Sequence, residues 1–214
     1  MLSTNNLYKY PRTPHLPFSL GFTSDDKVLT STKHFEGMQV VATEKMDGEN
    51  TTIYNDYYHA RSLDSKHREY HSYLLSNTLP MIQHDIPQGW RICGEYLYAR
   101  HSIGYNNLED YFLVFSIWDE NNNSLNWNSM EEFCELLGLK TVPKLYVGTY
   151  DEDIIKELAN QVVQRGGEGI VVRNIESFPY DKFGENMAKF VRKNHVQTDK
   201  HWSLTTITKN ELKK

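Results

Sequence analysis

The chain has 214 residues, of which 39% are hydrophobic, so it can build one domain with a substantial core, and wholesale disorder is excluded. A net charge of −5 argues against a uniformly basic surface but permits a local basic groove. Cys93 and Cys134 lie far apart in apolar surroundings, which favours free thiols in a reducing compartment. Neither a signal peptide nor a membrane-spanning apolar run is visible, so we predict a soluble cytoplasmic protein without a membrane partner.

Residues 8–17 carry three prolines and are expected to run extended rather than helical. Tyr10, Arg12 and His15 are interleaved with these prolines. The pattern fits either an exposed disordered leader or a segment that lies over a ligand, and the sequence leaves both interpretations open.

The apolar run 38–42 predicts a buried strand, and the turn signal Glu44-Lys45-Met46-Asp47-Gly48-Glu49-Asn50 follows it. A lysine at a strand end can act as a covalent nucleophile when neighbouring cations or partial burial lower its pKa. Lys45 is therefore the candidate nucleophile. Asp47 is short enough to hold the turn or to orient the lysine, and Gly48 permits close approach of a phosphate. The alternative is a surface turn with a solvated lysine.

Further elements follow in chain order. Residues 38–61 predict a three-stranded meander, residues 68–83 a helix, and residues 90–98 and 111–118 two strands joined by a polar loop. Ser129 and Thr149, each with a glutamate three residues later, resemble capping boxes that open two helices, and these helices end at Gly138 and at residues 166–167. Short strands are expected at 170–172 and 190–191. The irregular order of elements predicts an α+β domain with mostly antiparallel sheet, covering residues 1–214 as one unit.

Two other site types fit poorly. The glycine-rich stretch 165–169 lacks the Gly-Lys-Ser/Thr of a phosphate loop and is interpreted as a helix stop before a strand. His195 and His201 have no cysteine partners in a zinc-ligand spacing, which disfavours a zinc site.

Six short motifs occur in a fixed order along the chain. They are Lys45-x-Asp47-Gly48, Ala60-Arg61-Ser62, Gly94-Glu95-Tyr96, the aromatic strand around Phe115, Glu168-Gly169-Ile170-Val171, and Ala188-Lys189-Phe190-Val191-Arg192. This order resembles the motifs of the covalent nucleotidyltransferases, which include the ATP-dependent DNA and RNA ligases and the mRNA capping enzymes. Glu44 and Asn50 beside the first motif resemble the RNA ligase branch. The segments 9–16 and 194–202 also resemble bacterial and phage RNA ligases.

The resemblance implies a nucleotidyltransferase fold and an ATP-dependent RNA ligase active in RNA repair. Lys45 would attack ATP and carry AMP, with Mg²⁺ or Mn²⁺ as the second cofactor. The AMP would pass to an RNA 5′-phosphate, and an RNA 3′-hydroxyl would then displace it. Lys45, Asp47 and Lys189 would be catalytic.

The same resemblance implies a nucleotide-binding set. Glu44 and nearby backbone would read the adenine, Phe115 would stack on it, and Gly48 would lie against the phosphates. Arg61 and Glu95 would contact ribose and phosphate, Lys189 would neutralise the α-phosphate, and Asn50 would act during strand joining. Glu168 and Glu95 would hold the metal ion. The residues implied are Glu44, Lys45, Gly48, Asn50, Arg61, Glu95, Phe115, Glu168, Lys189 and Arg192.

Two departures from the family pattern leave alternatives open. Val191 stands where many ligases have a second lysine, so Arg192 would supply that phosphate contact with a different donor geometry. No OB-fold or helical domain is expected after residue 202, so strand recognition could need a partner protein or an oligomer. The alternatives are therefore a nucleotide- or RNA-binding module that ligates only with a partner, and a capping-type or DNA-ligase nucleotidyltransferase. The RNA-type first motif disfavours the capping-type and DNA-ligase readings.

Overall fold

A computed structural model describes residues 6–65, 67–195 and 207–214. Eleven strands are found among these residues: β1 Gln39–Lys45, β2 Glu49–Ile53, β3 Tyr58–Ala60, β4 Arg91–Tyr96, β5 Phe112–Trp118, β6 Asn123–Ser124, β7 Lys140–Thr141, β8 Lys144–Thr149, β9 Gly169–Asn174, β10 Phe178–Pro179 and β11 Met187–Val191. Four α-helical segments accompany them: α1 Leu79–Ile82, α2 Trp127–Leu136, α3 Glu152–Gln164 and α4 Phe183–Asn186.

The described strands form two sheets. The first has the order β11-β9-β1-β8 and is antiparallel throughout. The second has the order β10-β6-β5-β4-β2-β3, with β7 pairing in parallel with β5. The predicted α+β class with mostly antiparallel sheet is therefore confirmed.

The predicted meander over residues 38–61 is wrong in its pairing. β1 pairs with β8 and β9, whereas β2 pairs with β3 and β4 in the other sheet. The chain changes sheets between Lys45 and Glu49, at Gly48. A Cβ atom on Gly48 would lie 2.6 Å from the Tyr96 carbonyl oxygen, so a larger residue could not pass this close to β4. Gly48 is thus required for close backbone packing at the crossover.

Both predicted capping boxes are assigned to the wrong residue. Helix α2 is capped by Asn126, whose side chain accepts the Ser129 N–H, and α3 is capped by Asp151, which accepts the N–H groups of Asp153 and Ile154. An Asn or Asp oxygen reaches the N2 and N3 amides as well as a Ser or Thr hydroxyl does. The helix ends are as predicted, with Gly138 and Gly166 at positive φ.

The helix predicted over residues 68–83 is broken. It consists of a 3-10 turn at Glu69–His71, a π-helical turn at Leu74–Thr78, the short α1 and a second 3-10 turn. Strand β8 was not predicted because its side chains are only partly buried or exposed and it lies at the edge of its sheet.

Each of the two longer helices packs against one sheet. Ile155, Ala159 and Val162 of α3 pack in one cluster with the first sheet, and Trp127 and Met130 of α2 pack in a larger cluster with the second. Cys93 and Cys134 are buried free thiols, as predicted. No described helix has the length and apolar character needed to cross a membrane.

Residues 8–17 run extended, as predicted, and lie against the molecule. His15 forms a backbone bridge to Lys189 of β11, and the Tyr10 ring packs edge-on against Phe115 and Phe183. The exposed-leader interpretation is therefore wrong for this stretch.

Candidate active site

A cleft of about 750 Å³ is lined by strands of both sheets. The end of β1, the first half of β11, and Val171 and Arg173 of β9 contribute to one wall, while β2, β4 and β5 contribute to the other. Most of the predicted site residues line it: Glu44, Lys45, Asp47, Gly48, Asn50, Arg61, Glu95, Phe115, Glu168 and Lys189. The turn after β1 is thus part of a cleft, which rules out the solvated surface turn.

Lys45 ends β1 and pairs in register with Gly169 of β9, so the adjoining Glu168 comes alongside it. The Lys45 Nζ lies 2.7 Å from Glu168 Oε1, and the Glu168 side chain is 1% exposed. Burial would lower the pKa of Lys45, but the carboxylates of Glu168, Glu95 and Asp47 outweigh it and raise that pKa above its ordinary value. The expected lowering of the Lys45 pKa is therefore wrong for this structure, because the nearest charges are anionic.

Asp47 is held by a loop from the other sheet. Its Oδ2 accepts the Ser102 N–H and hydroxyl at 2.9 and 2.7 Å and the Ile103 N–H at 2.7 Å, while its own N–H donates to the Tyr105 hydroxyl at 2.9 Å. Burial would raise the pKa of Asp47, but His195 and these hydrogen bonds lower it to about 2. Asp47 is therefore a fixed anion.

Glu95 on β4 faces Lys45 from the opposite wall. Its Oε1 accepts the Gly48 N–H at 3.0 Å, which ties the crossover to β4. Burial raises the pKa of Glu95 to about 8, with the Glu168 charge adding to the shift and Lys45 opposing it. Glu95 is accordingly much less acidic than Asp47.

Lys189 on β11 lies on the same cleft wall as Lys45. Burial, reinforced by the charge of Lys45, lowers the pKa of Lys189 to about 8. Its backbone is fixed by the N-terminal segment, since the Lys189 N–H donates to Pro14 and its carbonyl accepts the Leu16 N–H. Arg61, after β3, adds a further cation to the lining.

One end of the cleft is apolar. Phe115 and Tyr10 meet there with ring centroids 5.1 Å apart, beside Val171 and Met187. Arg173 borders this end, is 2% exposed, and donates to the Ser124 hydroxyl and the Leu125 carbonyl. Arg173 could not be identified from the sequence, because an arginine inside a short strand carries no motif signal.

Three predicted residues have placements that qualify their implied roles. The Glu44 carboxylate forms an ion pair with Arg165, so it is already engaged. Asn50 Oδ1 is buried and accepts no hydrogen bond from the described residues. Arg192 is not among the lining residues of the described cleft; its backbone N–H donates to the Glu168 carbonyl at 2.9 Å.

His195 joins Asp47 and Glu168 at the bottom of the site. Its Nε2 is 3.4 Å from Asp47 Oδ1 and 3.4 Å from Glu168 Oε1, and its side chain is 0% exposed. The three residues each offer one ligand atom within 4.8 Å of the others, whereas Glu95 is not part of this group. Asn194 and His195 are the only residues of the motif-like segment 194–202 that the structure describes; His201 lies outside the described residues.

The α+β fold with antiparallel sheets about this cleft is that of RNA ligase nucleotidyltransferase domains. An archaeal ATP-dependent RNA ligase superposes with a TM-score of 0.58 at 18% identity, over 87% of this chain and 48% of that one. A variant of Naegleria gruberi RNA ligase with ATP and Mn gives a TM-score of 0.55 at 18% identity, over 75% of this chain and 51% of that one. The same organism's RNA ligase with PPi gives 0.53 at 20% identity, over 74% and 50%.

The chain thus spans about half the length of these ligases. The family model described as RNA ligase matches residues 38–191. The chain therefore belongs to the RNA ligase family. Among curated proteins, none matches the sequence.

Proposed function

We propose that this protein is an ATP-dependent RNA ligase in which Lys45 becomes covalently linked to AMP. The observation that carries the proposal is the position of Lys45 inside the cleft, 2.7 Å from Glu168 and on the same wall as Lys189. Membership of the RNA ligase family supports it, as do the fold relatives that contain ATP, AMP and Mn.

The first step needs a neutral amine. Lys45 must leave its ion pair with Glu168 and lose a proton before its Nζ can attack the α-phosphorus of ATP. A P–N bond then forms as the bond to pyrophosphate breaks. Lys189 lies on the same wall and supplies positive charge for the phosphate oxygens as negative charge develops there.

The apolar end of the cleft fits a purine base. Phe115 offers an aromatic face, and Val171 provides an apolar surface nearby. Stacking of a base on an aromatic ring contributes about 1–3 kcal/mol, which positions a base without selecting it. Glu44, Gly48 and Asn50 also line the cleft and complete the proposed nucleotide site.

Divalent-cation binding fits the residues at the polar end. Asp47 and Glu168 offer hard oxygen ligands, and Glu168 Oε2 accepts no hydrogen bond from the described residues. The Nε2 atom of His195 lies 3.4 Å from an oxygen of each carboxylate and adds a nitrogen ligand. We propose that these three residues hold Mg²⁺ or Mn²⁺, with Glu95 nearby. The bound ion would supply positive charge to the phosphates and favour the neutral form of Lys45.

In the later steps, AMP would pass to an RNA 5′-phosphate and a 3′-hydroxyl would displace it. We propose one nucleotidyltransferase domain over residues 1–214, acting in RNA repair in the cytoplasm, with Arg61 and Arg192 as phosphate contacts. A partner protein or a second copy could share RNA recognition. If sealing requires such a partner or second copy, the chain alone would form the lysyl–AMP adduct without sealing strands.

The test is incubation with α-labelled ATP and Mg²⁺ or Mn²⁺, followed by intact mass and peptide mapping. Wild type should gain one AMP on Lys45, and Lys45→Ala should gain none. Lys182→Ala, which removes a lysine paired with Glu185 away from the cleft lining, is the matched control and should label like wild type. The absence of an adduct on folded wild-type protein with either metal would refute the proposal.

A panel of GTP, dATP and ATP separates the ligase from a capping-type enzyme. Adenylylated protein should then be given 5′-phosphorylated RNA and DNA with free 3′-hydroxyl ends. RNA sealing is expected. Exclusive sealing of DNA, or exclusive labelling by GTP, would favour the corresponding alternative.

A further inference from the structure

The C-terminal segment Ile207–Lys214 lies along the loop between β4 and β5. Backbone hydrogen bonds tie the two together: the Arg100 N–H donates to Thr208, the Glu211 N–H to Tyr105, and the Lys213 N–H to Leu108. Residues 97–111 contain no helix and no paired strand beyond two isolated bridges to this segment. The loop's backbone polar groups thus depend on the segment for partners.

Asn210 is the centre of this contact. It is 2% exposed, its Oδ1 accepts the Tyr105 N–H at 2.9 Å, and its Nδ2 donates to the Leu97 carbonyl at 2.8 Å. Its backbone is equally engaged, since its N–H donates to the Tyr98 carbonyl at 3.0 Å and its carbonyl accepts the Tyr111 hydroxyl at 2.8 Å. The Asn210 side chain therefore connects Leu97, where the loop begins, with Tyr105 near its middle.

The adjacent Lys209 strengthens the attachment. Its ammonium lies 5.1 Å from the ring centroid of Tyr98 and 5.2 Å from that of Tyr111. Leu212, two residues beyond Asn210, packs against the core of the second sheet. Aromatic, apolar and hydrogen-bonding contacts thus hold the segment in one register on the loop.

The same loop is what fixes Asp47. The Asp47 side chain accepts hydrogen bonds from Ser102 and Ile103, and its N–H donates to the Tyr105 hydroxyl. These three residues lie in the part of the loop that Asn210 holds at Leu97 and at Tyr105. Tyr105 connects the two sides directly: its backbone N–H binds Asn210, and its hydroxyl binds Asp47. Asp47 in turn is two residues from Lys45.

We propose that Asn210 is a positioning residue, which acts through Tyr105 and the loop to hold Asp47, and with it the turn after Lys45, in working geometry. A segment far along the chain from the first motif thereby controls that motif. The effect on adenylylation rests on the proposed function, whereas the effect on loop and Asp47 order does not.

Hydrogen exchange tests the structural link independently of activity. In Asn210→Ala, exchange of the Asp47, Ser102, Ile103 and Tyr105 amides should accelerate about tenfold or more, while the amides of β9 remain as in wild type. Asn186→Ala is the matched control, because Asn186 is also buried with two side-chain hydrogen bonds, to Asn174 and to the Lys182 carbonyl. Asn186→Ala should leave the exchange rate of the Asp47 amide as in wild type.

The kinetic arm measures single-turnover adenylylation as a function of ATP. Asn210→Ala and Asn210→Asp should lower the maximum rate about 10- to 100-fold while the half-saturating ATP concentration changes less than about twofold, because a misplaced first motif impairs reaction more than nucleotide binding. Asn210→Asp keeps the Oδ1 atom that accepts the Tyr105 N–H, but it replaces the Nδ2 donor with an oxygen that repels the Leu97 carbonyl. Asn186→Ala should keep the wild-type rate.

Two results would overturn the proposal. One is unchanged exchange at the Asp47 amide in Asn210→Ala. The other is acceleration to the same degree in β9 and the loop, which would mean that Asn210 only stabilises the whole fold. If wild type itself forms no adduct, the proposed function fails, and the exchange measurement still decides the positioning role.

Discussion

Lys45 and Lys189 lie on one wall of the cleft, and their pKa values are shifted in opposite directions. The pKa of Lys45 is raised, because the carboxylates of Glu168, Glu95 and Asp47 outweigh its burial, whereas burial and the charge of Lys45 lower the pKa of Lys189 to about 8. The two amines are therefore chemically distinct before any nucleotide binds. Lys45 is held as the cation of an ion pair with Glu168, and Lys189 is the more readily deprotonated of the two.

The lowered pKa of Lys189 predicts a pH-dependent stability. Its folded-state pKa of about 8 lies below the unfolded value of 10.5, so between these values the unfolded chain binds more protons. The contribution of Lys189 to the free energy of unfolding therefore rises with pH across this window. The wild-type value minus that of Lys189→Met should increase by roughly 2 kcal/mol between about pH 7.5 and 10, less than the full shift implies because Lys189 is partly exposed.

Urea unfolding at a series of pH values measures this difference. The exposed Lys33, replaced by Met, is the control and should show a flat difference from wild type. A flat difference for Lys189→Met as well would mean that the Lys189 amine is solvated like any surface lysine.

Phe115 tests the apolar end of the cleft as the base site. Replacing it with Ala should weaken ATP binding by about 1–3 kcal/mol, the range for loss of one base–aromatic stack. Calorimetric titration in the Lys45→Ala background separates binding from reaction. Phe133→Ala, an aromatic truncation on α2 against Trp90, should leave ATP affinity unchanged; equal affinities for both variants would remove Phe115 from the base site.

The position of Lys45 could be predicted from sequence because its signal is local: an apolar run, then Lys-x-Asp-Gly. Strand pairing could not, since a turn between two apolar runs looks the same whether the strands pair or enter different sheets. Gly48 was predicted to permit the turn and close approach of a phosphate, whereas the structure places the Tyr96 carbonyl of β4 against it, a neighbour that the sequence did not indicate. The partners of Asp47 come from a loop without periodicity, and that loop is supported by Asn210, 163 positions further along the chain. Such contacts exist only after folding.

Asp151 tests the corrected start of α3. Its Oδ1 accepts the N–H groups of Asp153 and Ile154 at 2.9 and 3.0 Å, so Asp151→Ala should lower the free energy of unfolding by about 1 kcal/mol. Thr149, the residue that sequence favoured as the cap, instead accepts an exposed bond from Gln39. Thr149→Ala should cost less than about 0.5 kcal/mol by urea unfolding. A larger loss at Thr149 than at Asp151 would restore the original capping assignment.

His195 tests the proposed cation site through binding rather than turnover. The imidazole lies within 3.4 Å of both Asp47 and Glu168, has no hydrogen-bond partner among the described residues, and is fully shielded from solvent. With these two carboxylates, the imidazole forms a set of three ligand atoms that all lie within 4.8 Å of one another, close enough to bind one divalent cation. Electron paramagnetic resonance of bound Mn²⁺ should therefore show coupling to one imidazole nitrogen. In His195→Gln this coupling should vanish and Mn²⁺ affinity should fall about tenfold or more.

His84→Gln, at an exposed position, should preserve both the coupling and the affinity. Coupling that persists in His195→Gln would place Mn²⁺ on a different histidine. If wild type shows no coupling and His195→Gln binds Mn²⁺ as tightly as wild type, the carboxylates alone hold the ion.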